Sequence, residues 1–471
     1  MGKVFNYDKY KSSIALVDDN NTSVSYEELL ELENKVKQNF EKRCLVMILT
    51  SNTIGSICSY ASFLNNGFAV ILVSSNTPKD MINQLMNSYR PSILAMPKQL
   101  NKNYPFMKEK LNIYDYAVLS TNYPDDYPIH DELGLLLTTS GSTGSVKYVR
   151  QSFNNIIVNA RNTVTCVKMI PSDRTITVLP MHYTYGLSII NASLSIGACM
   201  VVTNRSPLED EFWNLFVDKE VTAIHAVSNT YDMLRRAEIF EEDFPHLRIL
   251  SQAGSKLPVD LHDYLARYAL NNSKEFIAIY GQCEATSLIS SLPFSRSIEK
   301  EGSIGIAVED GIMSLKDEFG NTINEPNKQG EIYYEGPNVA MGYALSKDDL
   351  NKGFEWNEGI RTGDIAYKDE EGFYYIVGRL KRFIKMFGNR TNLDEIDNII
   401  MESTHIRSVS SGFDDHLVIF VTGEAEKTAV TDFISKKFLS MRSNFEVKVI
   451  EEFPLNESGK IKYSALLDLA K

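Results

Sequence analysis

Residues 139–147 read Thr139-Ser140-Gly141-Ser142-Thr143-Gly144-Ser145-Val146-Lys147. This stretch follows an apolar run, 133–137, that predicts a strand, and it precedes a helical pattern for which Ser152 is a candidate N-cap. Glycines let the backbone turn tightly and bring its N–H groups close to an anion. The serine and threonine hydroxyls add hydrogen-bond donors, and Lys147 adds a positive charge. The composition is therefore that of a loop that holds a polyphosphate.

The loop does not have the Walker A pattern, which requires a glycine five residues after the first one and then Lys-Ser/Thr. Counted from Gly141, position 146 is Val and position 148 is Tyr. A run of Ser, Thr and Gly is also compatible with a polar surface loop. The residues of this stretch alone leave both interpretations open.

The composition is that of a globular chain. It has 471 residues, of which 43% are hydrophobic and 23% charged, and a chain of this length is expected to form about three core-sized units. The net charge of −13 argues against a non-specific nucleic-acid binder. Five scattered cysteines without a CxxC pair predict neither a disulfide framework nor a thiolate zinc site, and they favour a cytoplasmic protein. Polar residues interrupt the apolar stretch 185–202, so a buried helix is expected there and no membrane insertion.

Strand-like runs, such as 45–49, 70–73, 175–179 and 200–202, alternate with helical patterns through the first 290 residues. This alternation predicts an α/β fold with a large N-terminal domain of layered sheets. Turn clusters between short strands predict a β-rich subdomain over about 302–378. The tail predicts a small C-terminal α+β domain with helices near 394–403 and 428–439 and strands near 409–413, 417–422 and 447–449. The expected domains are 1–379 and 380–471.

The chain resembles the adenylate-forming superfamily, which contains acyl-CoA synthetases, the adenylation domains of peptide synthetases and insect luciferase. The stretch 139–147 resembles the signature loop with which that family binds the β- and γ-phosphates of ATP. The other family motifs follow in the family's order over nearly the whole chain. The resemblance implies that Mg²⁺ and ATP bind here, with Thr143 of the loop among the metal ligands.

A second motif, Tyr280-Gly281-Gln282-Cys283-Glu284, resembles the family's Tyr-Gly-x-Thr-Glu. The resemblance implies that these residues line the nucleotide site, with the Tyr280 ring against the purine and Glu284 as a catalytic ligand of Mg²⁺. The family's threonine contacts the α-phosphate. Cys283 stands in its place and is a much weaker hydrogen-bond donor, so a neighbour such as Thr286 is a candidate substitute. Without the family, Cys283 would be interpreted as a small buried apolar residue.

Two further segments resemble nucleotide-binding motifs of the family. Ser251-Gln252-Ala253-Gly254-Ser255-Lys256 resembles the segment that lines the adenine pocket, which implies contacts from Ala253, Gly254 and Ser255. Arg361-Thr362-Gly363-Asp364 resembles the Thr-Gly-Asp motif, whose carboxylate accepts the ribose hydroxyls. Ile376 and Arg379 follow at the family's spacing, and arginine supplies fixed, always-charged donors. Taken alone, each segment is compatible with an ordinary turn.

The C-terminal motifs imply a domain that moves between two half-reactions. Lys381 falls at the family's hinge position, and Lys385-Met386-Phe387-Gly388 resembles the motif that enters the site for the thiol acceptor, which implicates Lys385 and Gly388. The segment 454–461 resembles the catalytic segment that carries Lys460. The acid attacks an anionic α-phosphate, so a mobile cation stabilises the transition state more than the ground state. Solvated turns are the alternative interpretation of all three segments.

The segment 179–187 resembles one wall of the family's acyl pocket, which implicates His182 and Tyr183, together with Gly254, in binding the acid. No Asp occurs between Arg174 and Leu208, so an α-ammonium on the substrate would lack a carboxylate partner in this region. An α-amino acid substrate is therefore disfavoured. For both His182 and His225, a satisfied core histidine is the competing interpretation.

The function implied is a two-step ligase that forms acyl-AMP from a small carboxylic acid and ATP and then passes the acyl group to a pantetheine thiol. The tail is short by family standards, which leaves an acyl carrier protein open as acceptor beside CoA. Tyr-Gly-Gln-x-Glu-Ala-Thr and Gln-Ala-Gly also resemble ligases of bacterial surface-polysaccharide gene sets, which activate small, often hydroxylated acids. The alternative function is a nucleotide-binding regulator or scaffold that lost turnover, with Cys283 as its support.

Overall fold

The computed structural model describes residues 3–138, 147–380, 382–386, 389–437, 444–456 and 459–470, with the backbone alone at 383, 385, 389 and 390. The chain divides into two compact units. Unit 1 contains Met1–Ile312 and Glu335–Ile360, and unit 2 contains Met313–Tyr334 and Arg361–Lys471. The division assigns part of the β-rich segment to unit 2. The domain boundary at 379/380 stays a prediction.

In chain order the strands are β1 (Ile14–Asp18), β2 (Ser23–Ser25), β3 (Leu45–Thr50), β4 (Ala69–Ser74), β5 (Ile93–Pro97), β6 (Lys108–Ile113), β7 (Tyr116–Ser120), β8 (Leu133–Thr138), β9 (Tyr148–Ser152), β10 (Arg174–Ile176), β11 (Cys199–Val202), β12 (Ala223–Ala226), β13 (Ile249–Gln252), β14 (Glu275–Gly281), β15 (Leu288–Leu292), β16 (Ile306–Ala307), β17 (Ile312–Lys316), β18 (Thr322–Ile323), β19 (Gly330–Glu335), β20 (Gly342–Ala344), β21 (Ile360–Lys368), β22 (Tyr374–Arg379), β23 (Phe383–Met386), β24 (Asn389–Asn392), β25 (Val409–Phe413), β26 (His416–Val421) and β27 (Phe445–Val449).

The α-helices are α1 (Tyr26–Asn39), α2 (Ile54–Asn65), α3 (Lys79–Tyr89), α4 (Phe153–Val167), α5 (Thr184–Ile196), α6 (Asp210–Asp218), α7 (Ser228–Arg236), α8 (Val259–Asn271), α9 (Leu393–Thr404), α10 (Glu424–Lys437) and α11 (Tyr463–Ala470). Short 3-10 helices occur at Lys98–Asn103, Ile239–Glu241, Cys283–Ala285, Phe294–Arg296 and Lys347–Asp349. Within the described residues, none of the helices is long and apolar enough to cross a bilayer.

Unit 1 is built on two large sheets. One has the strand order β16-β15-β14-β13-β12-β10-β11-β1-β2 and the other β20-β9-β8-β4-β3-β5-β7-β6. The central strands of both sheets pair in parallel, and β3 and β4 are buried at every position. Both faces of such strands are covered, so their sequences are continuous apolar runs. The mixed α/β class is confirmed, although the strand expected over 175–179 ends at Ile176.

The helix α5 forms the first part of the apolar stretch 185–202, and strand β11 forms its end. Eleven residues of α5 are buried. Its buried serines bond to carbonyl groups of the helix itself: the Ser193 hydroxyl donates to the Ile189 carbonyl oxygen and the Ser188 hydroxyl to the Tyr185 carbonyl oxygen. Gly197 ends the helix at φ +80°, a conformation that glycine adopts without strain. The expectation of a buried helix is confirmed.

The segment 139–147, for which the sequence predicts a polyphosphate-binding loop, lies between two strands that pair antiparallel. β8 and β9 pair in a hairpin whose last partners before the loop are Thr138 and Tyr148, and residues 139–146 lie outside the described residues. Ser152 caps α4, and its hydroxyl and the Asn155 side chain form a reciprocal capping box. The predicted cap is confirmed, but strand β9 separates the loop from the helix. The first turn of α4 therefore does not directly follow residue 147 in the chain.

Unit 2 contains the smaller sheets. Strands β18-β17-β19-β21-β22 form one sheet, β23 and β24 form a hairpin, and β25-β26-β27 form a three-stranded sheet. Apolar residues of α9 and α10, Ile396, Ile400, Val430 and Ile434, pack against Ile419 of β26 in one core. The helices and strands predicted for the tail are confirmed to within a few residues.

Candidate active site

Glu284 and Tyr343 meet at the centre of the site in unit 1. Strand β14 ends at Gly281, and the 3-10 turn Cys283–Ala285 presents Glu284. The Tyr343 hydroxyl donates to Oε1 of Glu284 at 2.7 Å. Burial, and then the neighbouring carboxylate, raises the pKa of Tyr343. The bond to Tyr343 orients the carboxylate through Oε1, and a carboxylate oxygen is a ligand suited to a hard cation.

Lys147, the last residue of the segment 139–147, contacts the same tyrosine. Its ammonium lies 3.8 Å from the centroid of the Tyr343 ring, a cation–π distance. Strand β9 begins one residue later, and its edge pairs with β20, where Tyr343 lies opposite Val149. The sheet therefore brings Lys147 and Glu284 to one aromatic ring. The candidates Thr139, Ser140, Gly141, Ser142, Thr143 and Gly144 lie outside the described residues.

Arg150 fastens the strand that carries Tyr343. Its side chain is completely buried, Nε donates to the Tyr343 carbonyl oxygen at 3.0 Å, and its terminal nitrogens contact the Lys352 carbonyl oxygen and the Glu355 carboxylate. A guanidinium supplies these donors in one rigid plane. The three-residue strand β20 is thereby held to β9 by a side chain as well as by backbone pairing.

The backbone around Cys283 is tightly packed. A Cβ atom at Gly281 would lie 1.7 Å from the Ser287 carbonyl oxygen, so only glycine fits there. Sγ of Cys283 lies 3.4 Å from the Thr138 carbonyl oxygen and contacts the Thr184 hydroxyl. Cys283 is thus half-buried between β8 and the start of α5.

Thr286 does not fit the role of substitute phosphate donor. Its hydroxyl donates to the Asn338 carbonyl oxygen at 2.7 Å, and the residue is buried. Its proton is therefore committed to a carbonyl group inside the protein. Sequence proximity to Cys283 pointed to this residue, but the direction of its side chain depends on the long-range contact with Asn338.

The segment 251–256, which resembles the family's adenine-pocket segment, lies at the carboxyl ends of parallel strands. Open α/β sheets bind ligands at such an edge. β13 ends at Gln252, and β14 beside it ends after Tyr280. Gln252 Nε2 donates to the Ser255 carbonyl oxygen at 2.8 Å, and the Ser255 hydroxyl lies 2.6 Å from that of Ser228. Gly254 has φ +93°, so the turn depends on a residue without a side chain.

Ala253 and Tyr280 are buried beside this turn, and Gln282 is half-buried. Ala253 N–H donates to the Ala226 carbonyl oxygen at 3.3 Å, which extends the pairing of β12 and β13 by one residue. The segments that the sequence assigned to the adenine pocket are therefore neighbours at one sheet edge. Their contacts with a nucleotide remain predictions.

The segment 179–187, which resembles one wall of the family's acyl pocket, is hydrogen-bonded to residues at and just after the end of β3. Nδ1 of His182 lies 3.1 Å from the Thr50 hydroxyl, and the Asn52 side chain bonds both the Leu179 carbonyl oxygen and the Met181 N–H. Tyr183 immediately precedes α5 and is buried, which raises the pKa of its hydroxyl. The loop between β10 and α5 is thereby fixed close to the Thr184–Cys283 contact.

His225 is only partly explained as a satisfied core histidine. Its Nδ1 lies 2.6 Å from the Ser251 hydroxyl, and burial lowers the pKa of the ring to about 4. Nε2 is buried and has no hydrogen-bond partner among the described residues. The interpretation as a satisfied histidine is wrong for this nitrogen.

Unit 2 carries a second group of predicted residues. Asp364 on β21 and Arg379 on β22 are cross-strand partners, and Arg379 Nε donates to Asp364 Oδ1 at 2.9 Å. The Asp364 side chain is 5% exposed and that of Arg379 is 61% exposed, so the acid is fixed and the base faces solvent. Ile376 is half-buried on the same strand as Arg379.

Lys460 lies beside Asn456 in unit 2. Its N–H donates to Asn456 Oδ1 at 2.9 Å, its carbonyl oxygen accepts from the Asn456 N–H at 2.8 Å, and Leu455 bridges to Ile461. The backbone at Lys460 is thus fixed by Asn456. The candidates Lys381 and Gly388 lie outside the described residues, and only the backbone of Lys385 is described, in β23.

Sequence reasoning missed Tyr343, Arg150 and the Tyr185–Ser251–His225 chain. No local pattern marks Tyr343, because it lies on a three-residue strand. No local pattern marks Arg150 either, because it is followed by Gln151 and Ser152 in a strand without an apolar period. For His225, an imidazole inside the short apolar strand β12 was the one available signal.

The comparisons with known proteins agree with this arrangement. The AMP-binding enzyme family matches residues 6–344. The chain is 29% identical to oxalate–CoA ligase from Arabidopsis thaliana over 369 residues, which are 74% of this chain and 69% of the relative. It is 24% identical over 477 residues to 2-succinylbenzoate–CoA ligase from Bacillus subtilis (strain 168), covering 97% and 95%.

A solved structure shares the fold. The o-succinylbenzoate CoA synthetase MenE from Bacillus subtilis, in complex with its acyl-adenylate intermediate, superposes with a TM-score of 0.77 at 20% identity, covering 98% of this chain and 96% of that one. The family match extends over most of the chain and includes the Tyr280–Glu284 motif. The chain is therefore an AMP-binding enzyme of the adenylate-forming superfamily.

Proposed function

We propose that this enzyme is an AMP-forming acid–thiol ligase for a small carboxylic acid. In the first half-reaction, a carboxylate oxygen of the acid attacks the α-phosphorus of ATP, and pyrophosphate leaves. In the second, a thiol attacks the carbonyl carbon of the acyl-AMP, and AMP leaves. The observation that carries the proposal is the joint placement of Glu284 and Lys147 on Tyr343.

Glu284 fits the role of a Mg²⁺ ligand. Tyr343 orients its carboxylate through Oε1. Mg²⁺ is bound in such enzymes by one or two carboxylates together with phosphate oxygens and water, and it neutralises the charge on the phosphates. Thr143 of the loop is the second proposed ligand from this chain.

The loop and Lys147 are proposed to hold the β- and γ-phosphates. Glycine-rich backbone offers N–H groups, and an ammonium adds charge at the point where pyrophosphate leaves. The adenine is assigned to the turn 253–255 and to the Tyr280–Cys283 segment, and Asp364 with Arg379 is assigned to the ribose. Arg379 donates to Oδ1 of the Asp364 carboxylate and holds it on strand β21.

Lys460 is proposed to stabilise the α-phosphate as negative charge builds up on it. A rotation of the C-terminal part about Lys381 then brings Lys385 and Gly388 towards the thiol, so that one site serves both half-reactions. The relatives reported above are named CoA ligases, which supports CoA as acceptor. An acyl carrier protein and a role in surface-polysaccharide modification are supported by the sequence resemblance alone. A cytoplasmic location is supported by the scattered cysteines without a CxxC pair.

The proposal is tested by ATP–pyrophosphate exchange with a panel of acids that includes oxalate, 2-succinylbenzoate and short hydroxy acids. We expect exchange with at least one acid, and a thioester detected by mass spectrometry when CoA or a pantetheinylated carrier protein is added. Nucleotide binding without exchange for any acid would contradict the proposal and support the regulator interpretation.

A further inference from the structure

The backbone is strained at Thr286, two residues after Glu284. Its φ of +62° and ψ of −51° are close to those of the strained form of the γ-turn. The Ser287 N–H closes this turn by donating to the Ala285 carbonyl oxygen at 2.6 Å. A positive φ is an outlier for a β-branched residue. Such a conformation persists only where the surrounding structure holds it, and it is concentrated at functional sites.

The side chain of Asn338 holds this turn on both sides of Thr286. Its Nδ2 donates to the Ala285 carbonyl oxygen at 3.0 Å and to the Leu288 carbonyl oxygen at 2.7 Å. In the opposite direction, the Thr286 hydroxyl donates to the backbone carbonyl oxygen of Asn338 at 2.7 Å. Asn338 is completely buried, so these bonds do not compete with bulk water. Both hydrogens of its amide are used on the turn.

Asn338 is itself held in place by α4. The Asn155 side chain in the first turn of this helix donates to the Pro337 and Val339 carbonyl oxygens, both at 2.9 Å. These two residues flank Asn338 in the chain. Asn155 is also the partner of Ser152 in the capping box, so its own position is set by the start of the helix. The amide of Asn338 is therefore carried by a backbone that is anchored to a regular element.

The segment 338–343 also contacts Glu284 directly. The Ala340 N–H donates to the Glu284 carbonyl oxygen at 2.9 Å, and the Tyr343 hydroxyl donates to Glu284 Oε1 at 2.7 Å. One segment thus holds the backbone of Glu284, its carboxylate and the turn that follows it. Because the backbone of Glu284 runs into this turn, a change at Thr286 moves the carboxylate relative to Tyr343.

We propose that Asn338 is a positioning residue for Glu284, the proposed Mg²⁺ ligand. Its amide keeps Thr286 in the strained conformation that directs Glu284 towards Tyr343. Without this amide, two buried carbonyl oxygens lose a donor, and Thr286 returns to an unstrained conformation. The carboxylate then leaves the place in which it fits a hard cation. This inference rests on the proposed ligase function, in which ATP binds together with Mg²⁺.

The test measures how strongly Mg²⁺ promotes ATP binding, and it does not depend on which acid the enzyme activates. Isothermal titration gives the Kd of ATP with EDTA and with Mg²⁺, and the ratio of the first to the second isolates the effect of the metal. We expect wild type to bind ATP more tightly with Mg²⁺. Asn338→Leu has a side chain of similar size without an amide. It should lower the ratio by about tenfold, as removal of a group that supports a metal ligand does.

Asn191→Leu is the matched control for lost stability. Asn191 is another buried carboxamide of unit 1, and it accepts a hydrogen bond from the Tyr60 hydroxyl at 3.0 Å. Residues 283–288 are not among its hydrogen-bond partners in the part of the chain that the structure describes. Urea unfolding should show a loss of stability in both variants, whereas only Asn338→Leu should lower the ratio. An equal fall of the ratio in both would overturn the inference.

A pair of substitutions at Thr286 tests the role of the strain. Thr286→Gly and Thr286→Ala both remove the hydroxyl, but only glycine adopts a positive φ without strain. When each is combined with Asn338→Leu, the glycine should restore part of the Mg²⁺ effect and the alanine should not. Equal ratios in the two double variants would show that Asn338 does not act through the turn, and they would overturn the inference.

Asn338→Ala decides the question if the leucine variant does not fold. The space that the carboxamide vacates holds about one water molecule, which can donate to both carbonyl oxygens. Folding is then retained, while the rigid amide is lost. A ratio below that of wild type would support the inference, and an unchanged ratio would overturn it and leave the ligase function standing. If wild type itself bound ATP no more tightly with Mg²⁺ than with EDTA, the proposed function would be contradicted, and this inference with it.

Discussion

The Tyr343 hydroxyl donates to Oε1 of Glu284 at 2.7 Å, and the face of the same ring lies 3.8 Å from the Lys147 ammonium. One aromatic side chain thus engages an acid through its edge and a base through its face. Among the described residues, Lys147 and Glu284 form no ion pair with each other. Their charges therefore remain open for the phosphates and the cation that the proposed reaction requires.

Removal of the hydroxyl in Tyr343→Phe is expected to slow adenylate formation while the fold is retained. The variant keeps the ring beside Lys147 but leaves Glu284 without its oriented hydrogen bond. Hydrogen bonds to charged groups contribute about 1.5–3 kcal/mol, which corresponds to a fall in kcat/KM of about 10- to 100-fold. ATP–pyrophosphate exchange at varied Mg²⁺ measures the loss, and part of it should be recovered at high Mg²⁺.

Tyr123→Phe is the matched control for this variant. Tyr123 also donates to a side-chain oxygen in unit 1, that of Asn87 at 2.6 Å, but the contact is exposed and involves none of the site residues. Exchange should be unchanged. If Tyr343→Phe exchanged at the wild-type rate, its role in positioning Glu284 would be disproved.

The contrast between Glu284 and Tyr343 shows which parts of the site are readable from sequence. Glu284 lies in a local motif whose spacing is set by a strand and a turn. Tyr343 depends on the edge pairing of β20 with β9, and 193 residues separate it from Arg150, which fastens that edge. Pairing over such a distance is decided by the whole sheet and leaves no local period in the sequence.

The fold shows the same distinction. The strands β3 and β4 and the tail helix α9 were predictable because burial imposes a period on each of them. Strand β9 was missed, although it lies between the loop and the correctly predicted cap Ser152. Two of its five residues, Arg150 and Gln151, are polar and yet buried, because residues far along the chain accept their hydrogen bonds. A prediction based on the spacing of apolar residues therefore does not detect this strand.

Cys283→Ser is expected to raise kcat/KM for ATP by about three- to tenfold, as a hydroxyl is a stronger donor than a thiol. Serine retains the size of the side chain between Thr138 and Thr184. Exchange assays at varied ATP measure the change. Cys166→Ser, another half-buried cysteine of unit 1, is the control and should have no effect. A fall in activity would contradict the prediction and show that the site functions better with a thiol than with a hydroxyl at position 283.

Acid is expected to destabilise unit 1 partly through His262. Burial lowers the pKa of this ring to about 4, and the Gly302 N–H donates to its Nδ1 at 3.3 Å, a bond that only the neutral ring can accept. The unfolded state, with a pKa near 6.5, binds the proton first. Stability from His262 is therefore complete above pH 6.5 and is lost as the pH falls towards 4, by about 2 kcal/mol between pH 7.5 and 5.

Urea unfolding at these two pH values tests the prediction, with tryptophan fluorescence as the probe, since Trp213 and Trp356 both lie in unit 1. His262→Gln should reduce the difference between the two pH values by about 2 kcal/mol relative to wild type. Any change that the substitution makes to the stability at both pH values cancels, because the difference between the two pH values is measured for each protein separately. His246→Gln is the control, because that ring is 52% exposed. An unchanged pH dependence in His262→Gln would contradict the assignment.

Lys460→Ala is expected to abolish the first half-reaction selectively. The backbone N–H and carbonyl groups of Lys460 bond to the side chain and the N–H of Asn456, and Leu455 bridges to Ile461. None of these bonds uses the Lys460 side chain, so an alanine is expected to leave the local fold intact. Loss of one group that stabilises transition-state charge lowers kcat by about 10²- to 10³-fold. Exchange should fall by this factor, while thiolysis of separately supplied acyl-AMP should continue, because no pyrophosphate leaves in that step. Lys462→Ala, at an exposed lysine two residues further along the chain, should retain both half-reactions. Equal loss of both half-reactions in Lys460→Ala would indicate a structural role, and unchanged exchange would remove Lys460 from the mechanism.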